Sequence, residues 1–351
     1  MKRRVAVMQG LTRDFLAYAE SKGIQKIVIL SQIQVQQLAK LAPEAYRKNF
    51  EQACSDDYRD IPVIVLMGVF GYDDLFATVR NQREGIGLTG SHQNYWRIAE
   101  EAVKSTSQFL EGRGFRAKPH GEFNAILPVK YVLNRLGVGK YGKNSIIYID
   151  GYGSYLNNWV ELFTNAPLEL TDIQVTEDFQ GLAQCVKCET CVSTCPTSAI
   201  LEPYKVDQNK CITHLTHRTD TIPKELFSKM RNWIWGCNIC QNICPANARV
   251  APRKRPVDAA ISHPGTTGLP PAHKHPFPRL ATELVPEYNT KYLKNVLIAL
   301  GNCGVSDDLR YVEMFSRTSK GGELKEFCDY ALSQIRSRHK TEPKRLERIL
   351  G

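Results

Sequence analysis

The apolar positions in the first half of the chain fall into two patterns, short β-branched runs and helical spacing. Residues 94–110 place Ile, Ala, Val, Phe and Leu at helical intervals, and Gly112 and Gly114 then supply a stop signal. Runs rich in Val and Ile, which favour buried strands, lie at 27–30, 62–70 and 146–149. The alternation predicts a mixed α/β domain over residues 1–178.

The second half has a different pattern. Residues 179–250 hold eight of the eleven cysteines with little periodicity, which predicts a domain organised by metal. Nine of the 18 prolines lie between positions 245 and 286, so 251–286 is expected to be an extended connection. The connection also carries Arg253-Lys254-Arg255 and three histidines, His263, His273 and His275. Amphipathic helical patterns at 292–301, 309–316 and 324–335 predict a helical region over 287–351.

Composition narrows the class of protein. With 42% hydrophobic and 23% charged residues, the 351-residue chain can form a packed core, which excludes disordered and collagen-like classes. The net charge of +10 suggests an anionic partner such as nucleic acid, although a solvated basic face is the alternative. The apolar run 61–70 is too short to span a membrane, and the N-terminus lacks the apolar stretch of a signal peptide. A cytoplasmic location is therefore expected, where cysteines serve metal or redox chemistry rather than disulfides.

Eight cysteines form two sets with iron-sulfur spacing. The first set has the spacing C-x2-C-x2-C-x3-C-P of bacterial ferredoxins, in which the fourth cysteine binds the other cluster. The second set is a split version, with one isolated cysteine followed by C-x2-C-x3-C-P. Crossed ligation assigns Cys185, Cys188, Cys191 and Cys244 to one 4Fe-4S cluster, and Cys195, Cys211, Cys237 and Cys240 to the other.

Two alternatives to iron-sulfur clusters remain at this point, a pair of four-cysteine zinc sites and a degenerate site that binds nothing. Zinc sites usually present separated Cys-x2-4-Cys pairs rather than three ligands within seven residues, so iron-sulfur ligation is favoured. The remaining cysteines, Cys54, Cys303 and Cys328, are expected to be small buried hydrophobic residues.

Residues 137–142 match G-x-G-x-x-G, the glycine pattern of dinucleotide-binding proteins. That site requires a strand before the glycines and a helix after them, whereas here a helical pattern precedes and a strand follows. Lys140 and Lys143 could still hold an anion or contact a cofactor. The simpler alternative is a helix C-cap at Gly137 followed by a tight turn.

The chain resembles the epoxyqueuosine reductase family, cobalamin and iron-sulfur enzymes that act on a tRNA wobble base. The resemblance covers about 120–335 and rests on the eight cysteines and on the segments 136–144, 211–216, 235–245 and 297–304. It implies a ferredoxin-like double 4Fe-4S domain, C-terminal HEAT-like helices and a candidate cobalamin-binding α/β domain. It further implies tRNA and a low-potential electron donor, such as ferredoxin or flavodoxin, as partners. The loop residues implied to bind the cofactor are Lys140, Gly142, Lys143 and Asn144.

One departure from the family pattern changes the functional expectation. The family places a catalytic aspartate three residues before the proline equivalent to Pro128, and this chain has Ala125 there. His120, Glu122 and Asn124 are nearby polar candidates, but each is more typical of a surface residue. The catalytic residues are therefore unknown from the sequence.

Three functions follow from the sequence. The favoured hypothesis is a cobalamin-dependent reductase related to epoxyqueuosine reductase, with an unidentified substrate. The second is epoxyqueuosine reduction itself with a displaced acid. The third is a two-cluster electron-transfer protein without catalysis of its own.

Overall fold

The computed structural model describes residues 2–72, 90–218, 221–233, 236–252 and 290–350. Backbone contacts divide them into two compact units. The first comprises 2–72, 91–189 and 244–252, and the second comprises 190–218, 221–233, 236–243 and 290–350. The division into 1–178, 179–250, 251–286 and 287–351 stays a prediction. Residues 253–286, with the basic triplet at 253–255 and the three histidines, lie outside the described residues.

The first unit is organised around a four-stranded sheet in the order β1-β2-β6-β3, with every pair antiparallel. Strand β2 lies between β1 and β6 and is buried along nearly its whole length, with successive residues on both of its faces inaccessible to solvent. The strands are β1 (Lys26–Ser31), β2 (Val63–Phe70), β3 (Ala117–His120) and β6 (Leu156–Thr164). A separate hairpin joins β4 (Gly139–Tyr141) to β5 (Ile147–Ile149).

Helices cover one face of this sheet and form the main core of the unit. Phe15 and Ala99 are buried completely, and they belong to one apolar cluster with Val65 and Leu162 of the sheet. The second helix begins with a capping box, in which Ser31 and Gln34 bond each other's backbone N–H groups. The helices are α1 (Lys2–Ser21), α2 (Gln32–Leu41), α3 (Arg47–Ala53), α4 (Asp56–Arg59), α5 (Gly90–Glu111) and α6 (Val129–Arg135). Short 3₁₀ turns lie at Glu44–Tyr46, Glu122–Asn124, Ala183–Cys185 and Pro245–Asn247.

The second unit combines short cysteine-bearing elements with longer C-terminal helices. Phe227 and Phe327 stack with their ring centroids 5.3 Å apart, inside a core that also contains Ile298 and Ile335. The helices are α7 (Thr190–Thr194), α8 (Ile212–His217), α9 (Ile239–Asn242), α10 (Thr290–Cys303), α11 (Leu309–Ser316), α12 (Ser319–Glu323) and α13 (Lys325–Leu350). The remaining elements are the hairpin β7 (Ile200–Glu202) and β8 (Lys205–Val206) and 3₁₀ turns at Lys224–Leu226, Ser228–Met230 and Ser306–Asp308.

The observed elements confirm most of the sequence expectations. The predicted strands correspond to β1, β2 and β5, and the three predicted C-terminal helices correspond to α10, α11 and α13. The HEAT-like character of those helices stays a prediction. The sequence reading missed α1 and β6. Within the described part of the chain, no helix combines the length and apolar character needed to cross a membrane.

The three cysteines outside the cluster pattern were expected to be buried, and this is wrong for two of them. Cys328 is buried, but Cys54 and Cys303 are exposed. Cys54 follows the last turn of α3, and Cys303 is the final residue of α10, where its thiol donates to the carbonyl of Ala299 at 3.0 Å. Helix ends face solvent more readily than helix centres, which explains both exceptions.

Candidate metal centre and active site

Three of the eight predicted ligands lie in the first unit, and the fold brings them together from two distant segments. Cys185 ends one 3₁₀ turn, Cys188 follows it, and Cys244 precedes the turn Pro245–Asn247. Both Cys188 and Cys244 act electrostatically on the Cys185 thiol, so the three thiols are neighbours. The fold therefore pairs the start of the first cysteine set with the end of the second.

Asn247, in the segment that carries Cys244, forms hydrogen bonds with Ser154, which lies just before strand β6. Its side-chain oxygen accepts the N–H of Ser154 at 2.9 Å, and its amide donates to the Ser154 hydroxyl at 2.7 Å. Asn247 and Ser154 are both completely buried. Gly153 permits this approach because its φ is +56° and an added Cβ would lie 2.3 Å from the Asn247 oxygen. The position of Cys244 thus depends on a buried polar pair.

Four further cysteines group in the second unit. The Cys237 thiol is influenced by Cys240, Cys211 and Cys195, in that order. Cys195 accepts the N–H of Ala199 at 3.3 Å, and the N–H of Ile239 bonds to Cys237. Hydrogen bonds to sulfur are one of the means by which proteins adjust the potential of an iron-sulfur cluster.

Cys191, the eighth cysteine of the pattern, is buried on the short helix α7. Helix α7 packs against α9, which carries Cys240. Cys191 and Cys240 thus lie on two neighbouring short helices of the same unit.

The cysteine groups have the chemistry that an iron-sulfur cluster requires. Burial raises the pKa of the Cys185 and Cys237 thiols, so an uncompensated thiolate is unfavourable at either place and a metal cation would relieve it. Among the described residues, no three His, Cys, Asp or Glu side chains converge as ligands of one metal ion do. A four-iron cube distributes its thiolates over four irons, so its ligands need not converge on one point.

Lys143 is the residue of the predicted cofactor loop that lies beside the cysteines. Its side chain is only 8% exposed and forms an ion pair with Glu189. Its backbone N–H bonds to the Cys185 sulfur, and Glu189, together with Cys185 and Cys188, raises the pKa of its ammonium group. The loop therefore delivers a buried positive charge and an N–H donor to the thiols of the first unit.

The other predicted loop residues have different surroundings. Lys140 is exposed on β4, whereas Asn144 is buried and donates to the Tyr148 hydroxyl at 3.1 Å. Gly142 lies so close to Asn144 and Tyr148 that an added Cβ would be 2.7 Å from each of them. As the sequence predicted, a helix precedes these glycines and a strand follows, unlike a dinucleotide site. Cofactor binding by the four residues stays a prediction.

The segment around Ala125 contains one carboxyl group with an unusual environment. Burial and the nearby Glu100 carboxylate raise the pKa of Glu122 to about 7, although Lys130 opposes the shift. Among the described residues, the buried Glu122 Oε2 has no hydrogen-bond partner, while the Glu122 N–H donates to Glu100 at 3.1 Å. Glu122 is therefore partly protonated near neutral pH.

The other two polar candidates differ from Glu122. Asn124 is exposed, as expected for a surface residue. The ring of His120 lies 3.0 Å from the Tyr58 hydroxyl, and burial, followed by Lys118, lowers the pKa of His120. His120 is consequently a neutral, half-buried group rather than a proton reservoir at neutral pH.

Sequence reasoning missed Glu161, a carboxyl group directly beside this segment. It lies in the centre of β6 with no exposed surface, and it accepts the N–H groups of Ile126 and Leu127 at 2.8 and 2.9 Å. The available signal was a single acidic residue within the apolar run 159–163. Buried carboxylates are rare unless they are paired or hydrogen-bonded, so an acidic residue within an apolar run is the one sequence feature that could have drawn attention to this position.

Comparison with known proteins identifies the cysteine region. Residues 184–247 match the family described as a 4Fe-4S double cluster binding domain. The predicted double 4Fe-4S domain is thereby confirmed.

Proteins that are similar in sequence over a larger part of this chain are epoxyqueuosine reductases. The chain is 33% identical to that of Shewanella oneidensis over 69% of this chain and 62% of the relative. It is 37% identical to that of Synechocystis over 51% of this chain and 59% of the relative. The chain thus spans about three fifths of these relatives' length.

Solved structures show the same fold over more of the chain. An epoxyqueuosine reductase crystallised with an epoxyqueuosine-modified tRNA-Tyr stem loop has a TM-score of 0.68 at 21% identity, covering 93% of this chain and 91% of that one. The Bacillus subtilis enzyme, with its catalytic loop swung out of the active site, has a TM-score of 0.58 at 20% identity, covering 93% and 100%.

Proposed function

We propose that the chain, which is similar in sequence to epoxyqueuosine reductases and contains a 4Fe-4S double cluster binding domain, is an iron-sulfur, cobalamin-dependent reductase of that family. The proposed ligands of one 4Fe-4S cluster are Cys185, Cys188, Cys191 and Cys244, and those of the other are Cys195, Cys211, Cys237 and Cys240. The observation that carries this proposal is the grouping of the thiols. Cys185 has Cys188 and Cys244 as neighbours, whereas Cys237 has Cys240, Cys211 and Cys195.

The bound groups would supply one-electron transfer through the clusters and a strongly reducing cobalt centre. The protein's part is to hold the thiols, to set the charge around them and to control protons. Lys143 and its N–H favour negative charge on the cysteines of the first unit. We further propose that Lys140, Gly142, Lys143 and Asn144 lie near the cobalamin, and that a low-potential protein such as ferredoxin or flavodoxin supplies the electrons.

The substrate is proposed to differ from that of the epoxyqueuosine reductases, because Ala125 occupies the place of the family's catalytic aspartate. An alanine cannot donate the proton that reductive opening of an epoxide requires. The basic net charge of +10 and the tRNA stem loop bound by a relative support an RNA substrate.

Epoxyqueuosine reduction with a displaced acid is the second candidate, and Glu122 favours it. Glu122 begins the 3₁₀ turn that directly precedes Ala125, and the pKa of about 7 of its carboxyl group suits an acid that must give up a proton at neutral pH. It would replace the missing aspartate without any change in the cluster chemistry.

The cluster assignment is tested by iron content after anaerobic purification. Wild-type protein should contain about eight irons and about eight acid-labile sulfides per chain. The double variant Cys185→Ala/Cys244→Ala should keep about four irons, because both residues would serve one cluster. The matched variant Cys185→Ala/Cys195→Ala should lose nearly all iron, because its two residues would serve different clusters. The reverse pattern would show that the ligation is not crossed, and stoichiometric zinc without iron would refute the cluster proposal.

The substrate proposal is tested separately with cobalamin-loaded protein and tRNA that carries epoxyqueuosine. Wild-type protein should bind cobalamin but turn over slowly or not at all, and Ala125→Asp should raise any detectable rate. Robust wild-type turnover that is lost in Glu122→Gln would favour the second candidate. Failure of cluster-loaded protein to bind cobalamin would favour an electron-transfer protein instead.

A further inference from the structure

The buried carboxyl group of Glu161 holds the backbone that directly follows Ala125. Its two oxygens accept the N–H groups of Ile126 and Leu127 at 2.8 and 2.9 Å. Ile126 and Leu127 are only 2% and 3% exposed and Glu161 has no exposed surface, so the loop and the carboxyl group that it contacts are buried together. Glu161 is thus both the acceptor for this loop and a group that is buried with it.

A second, uncharged contact holds the same loop. The side-chain amide of Asn49 donates to the carbonyl oxygen of Ile126 at 2.7 Å. The loop therefore has one titratable anchor and one that cannot titrate, which allows the two contributions to be separated by experiment.

Neighbouring elements place few ionisable groups near Glu161. In the sheet its register partners are Leu66 on β2 and His120 on β3. His120 contacts Tyr58, and Lys118 of the same strand lies over the Tyr58 ring at 4.2 Å. The turn Glu122–Asn124 contacts β6 and contributes Glu122, while α6 contributes Lys130, which acts on Glu122.

We propose that Glu161 is a positioning residue that fixes the backbone after Ala125 and makes the opening of this loop depend on pH. The proposal rests on the proposed function in one respect: the loop matters for catalysis because it follows the position of the family's proton donor. The hydrogen bonds and the burial on which it is built do not depend on any substrate.

The direction of the pH dependence follows from proton linkage. Burial raises the pKa of Glu161 from 4.5 to about 7, and the two N–H groups only partly offset this effect. When the loop opens, water reaches the carboxyl group and its pKa returns toward the ordinary value. The closed loop therefore binds the proton more tightly than the open loop. Closure is favoured below about pH 4.5 and is progressively weakened as the pH rises to about 7.

The test is hydrogen exchange at the amides of Ile126 and Leu127 in the cluster-loaded protein, expressed relative to intrinsic exchange at each pH. Opening should increase at least tenfold between pH 5 and pH 8. The difference of about 2.5 between the two pKa values sets a ceiling of roughly 300-fold. In Glu161→Gln the opening should be independent of pH over this range.

Three control variants separate Glu161 from its neighbours. Asn49→Ala should increase opening by a similar factor at every pH, because it removes an anchor that does not titrate. Glu122→Gln and His120→Gln should both keep the wild-type pH dependence. If opening in the wild type is constant or decreases with pH, or if Glu161→Gln keeps the wild-type slope, the proposal is overturned.

The same measurements distinguish this inference from the proposed function. Exchange is measured without substrate, so a flat profile refutes the role of Glu161 and leaves the reductase proposal intact. Conversely, a protein with the expected profile that binds no cobalamin would count against the reductase and not against the pH-dependent loop.

Discussion

Replacing Asn247 by alanine is expected to loosen the segment that carries Cys244. Asn247 and Ser154 are completely buried and exchange two hydrogen bonds of 2.9 and 2.7 Å. The alanine variant removes both bonds and leaves the Ser154 N–H without the Asn247 acceptor. Cys244 lies three residues before Asn247, so the first consequence should be weaker retention of the cluster that Cys244 is proposed to bind.

The size of the effect follows from these contacts. A buried donor deprived of its acceptor costs about 1–3 kcal/mol, and the second hydrogen bond contributes about 1 kcal/mol. The local loss is therefore about 2–4 kcal/mol. Because each 1.4 kcal/mol corresponds to a factor of about ten, opening of the segment should become about 30-fold more frequent or more.

Iron release to a chelator under anaerobic conditions measures this opening directly. Asn247→Ala should release about half of its iron at least tenfold faster than wild-type protein, and the other half at the wild-type rate. Asn158→Ala is the matched control, since it removes a buried asparagine from β6 without touching Ser154. Equal release rates in Asn247→Ala and wild-type protein would refute the idea that this polar pair holds Cys244 in place.

Three further outcomes are expected. Lys143→Gln should lower the midpoint potential of the cluster proposed to include Cys185, because a buried cation near the thiolates stabilises the added electron. The control Lys140→Gln, at an exposed position, should leave this potential unchanged. Both potentials are measured by anaerobic redox titration followed by electron paramagnetic resonance. Glu161 should decrease the free energy of unfolding by up to about 3 kcal/mol between pH 4.5 and about 7, because the folded state binds the proton of this carboxyl group more tightly than the unfolded state does. Urea titrations should therefore show a smaller decrease for Glu161→Gln than for wild-type protein over this pH range. Binding of tRNA should weaken steeply with added salt as counterions are released, and affinity that does not change with salt in a filter-binding titration would contradict electrostatic recognition.

The sequence predicted best those elements whose apolar residues either form a continuous run or keep a regular helical spacing. The run that became β2 is apolar at almost every position, and α11 has the predicted bounds 309–316 because its apolar residues keep strict helical spacing. Strand β6 was missed although it pairs with both β2 and β3. Its sequence includes Asn157, Asn158 and Glu161, which interrupt the apolar signal on which strand prediction depends.

The chemistry of the cysteines was determined by the sequence itself, because ligand type and spacing suffice to indicate iron-sulfur clusters. Tertiary structure decided what surrounds them. Lys143 was predicted to contact a cofactor, and only the fold of the β4–β5 hairpin places its ammonium beside Cys185 and Cys188.

The loop after Ala125 is the clearest case of information that appears only on folding. From the sequence, Glu161 is one acidic residue within a short apolar run, and Ile126 and Leu127 are two apolar residues far away along the chain. Their hydrogen bonds exist because antiparallel pairing of β3 with β6 brings the end of one strand beside the centre of the other. The pKa of Glu161 is likewise set by burial, which depends on residues distant in sequence and cannot be read from local composition.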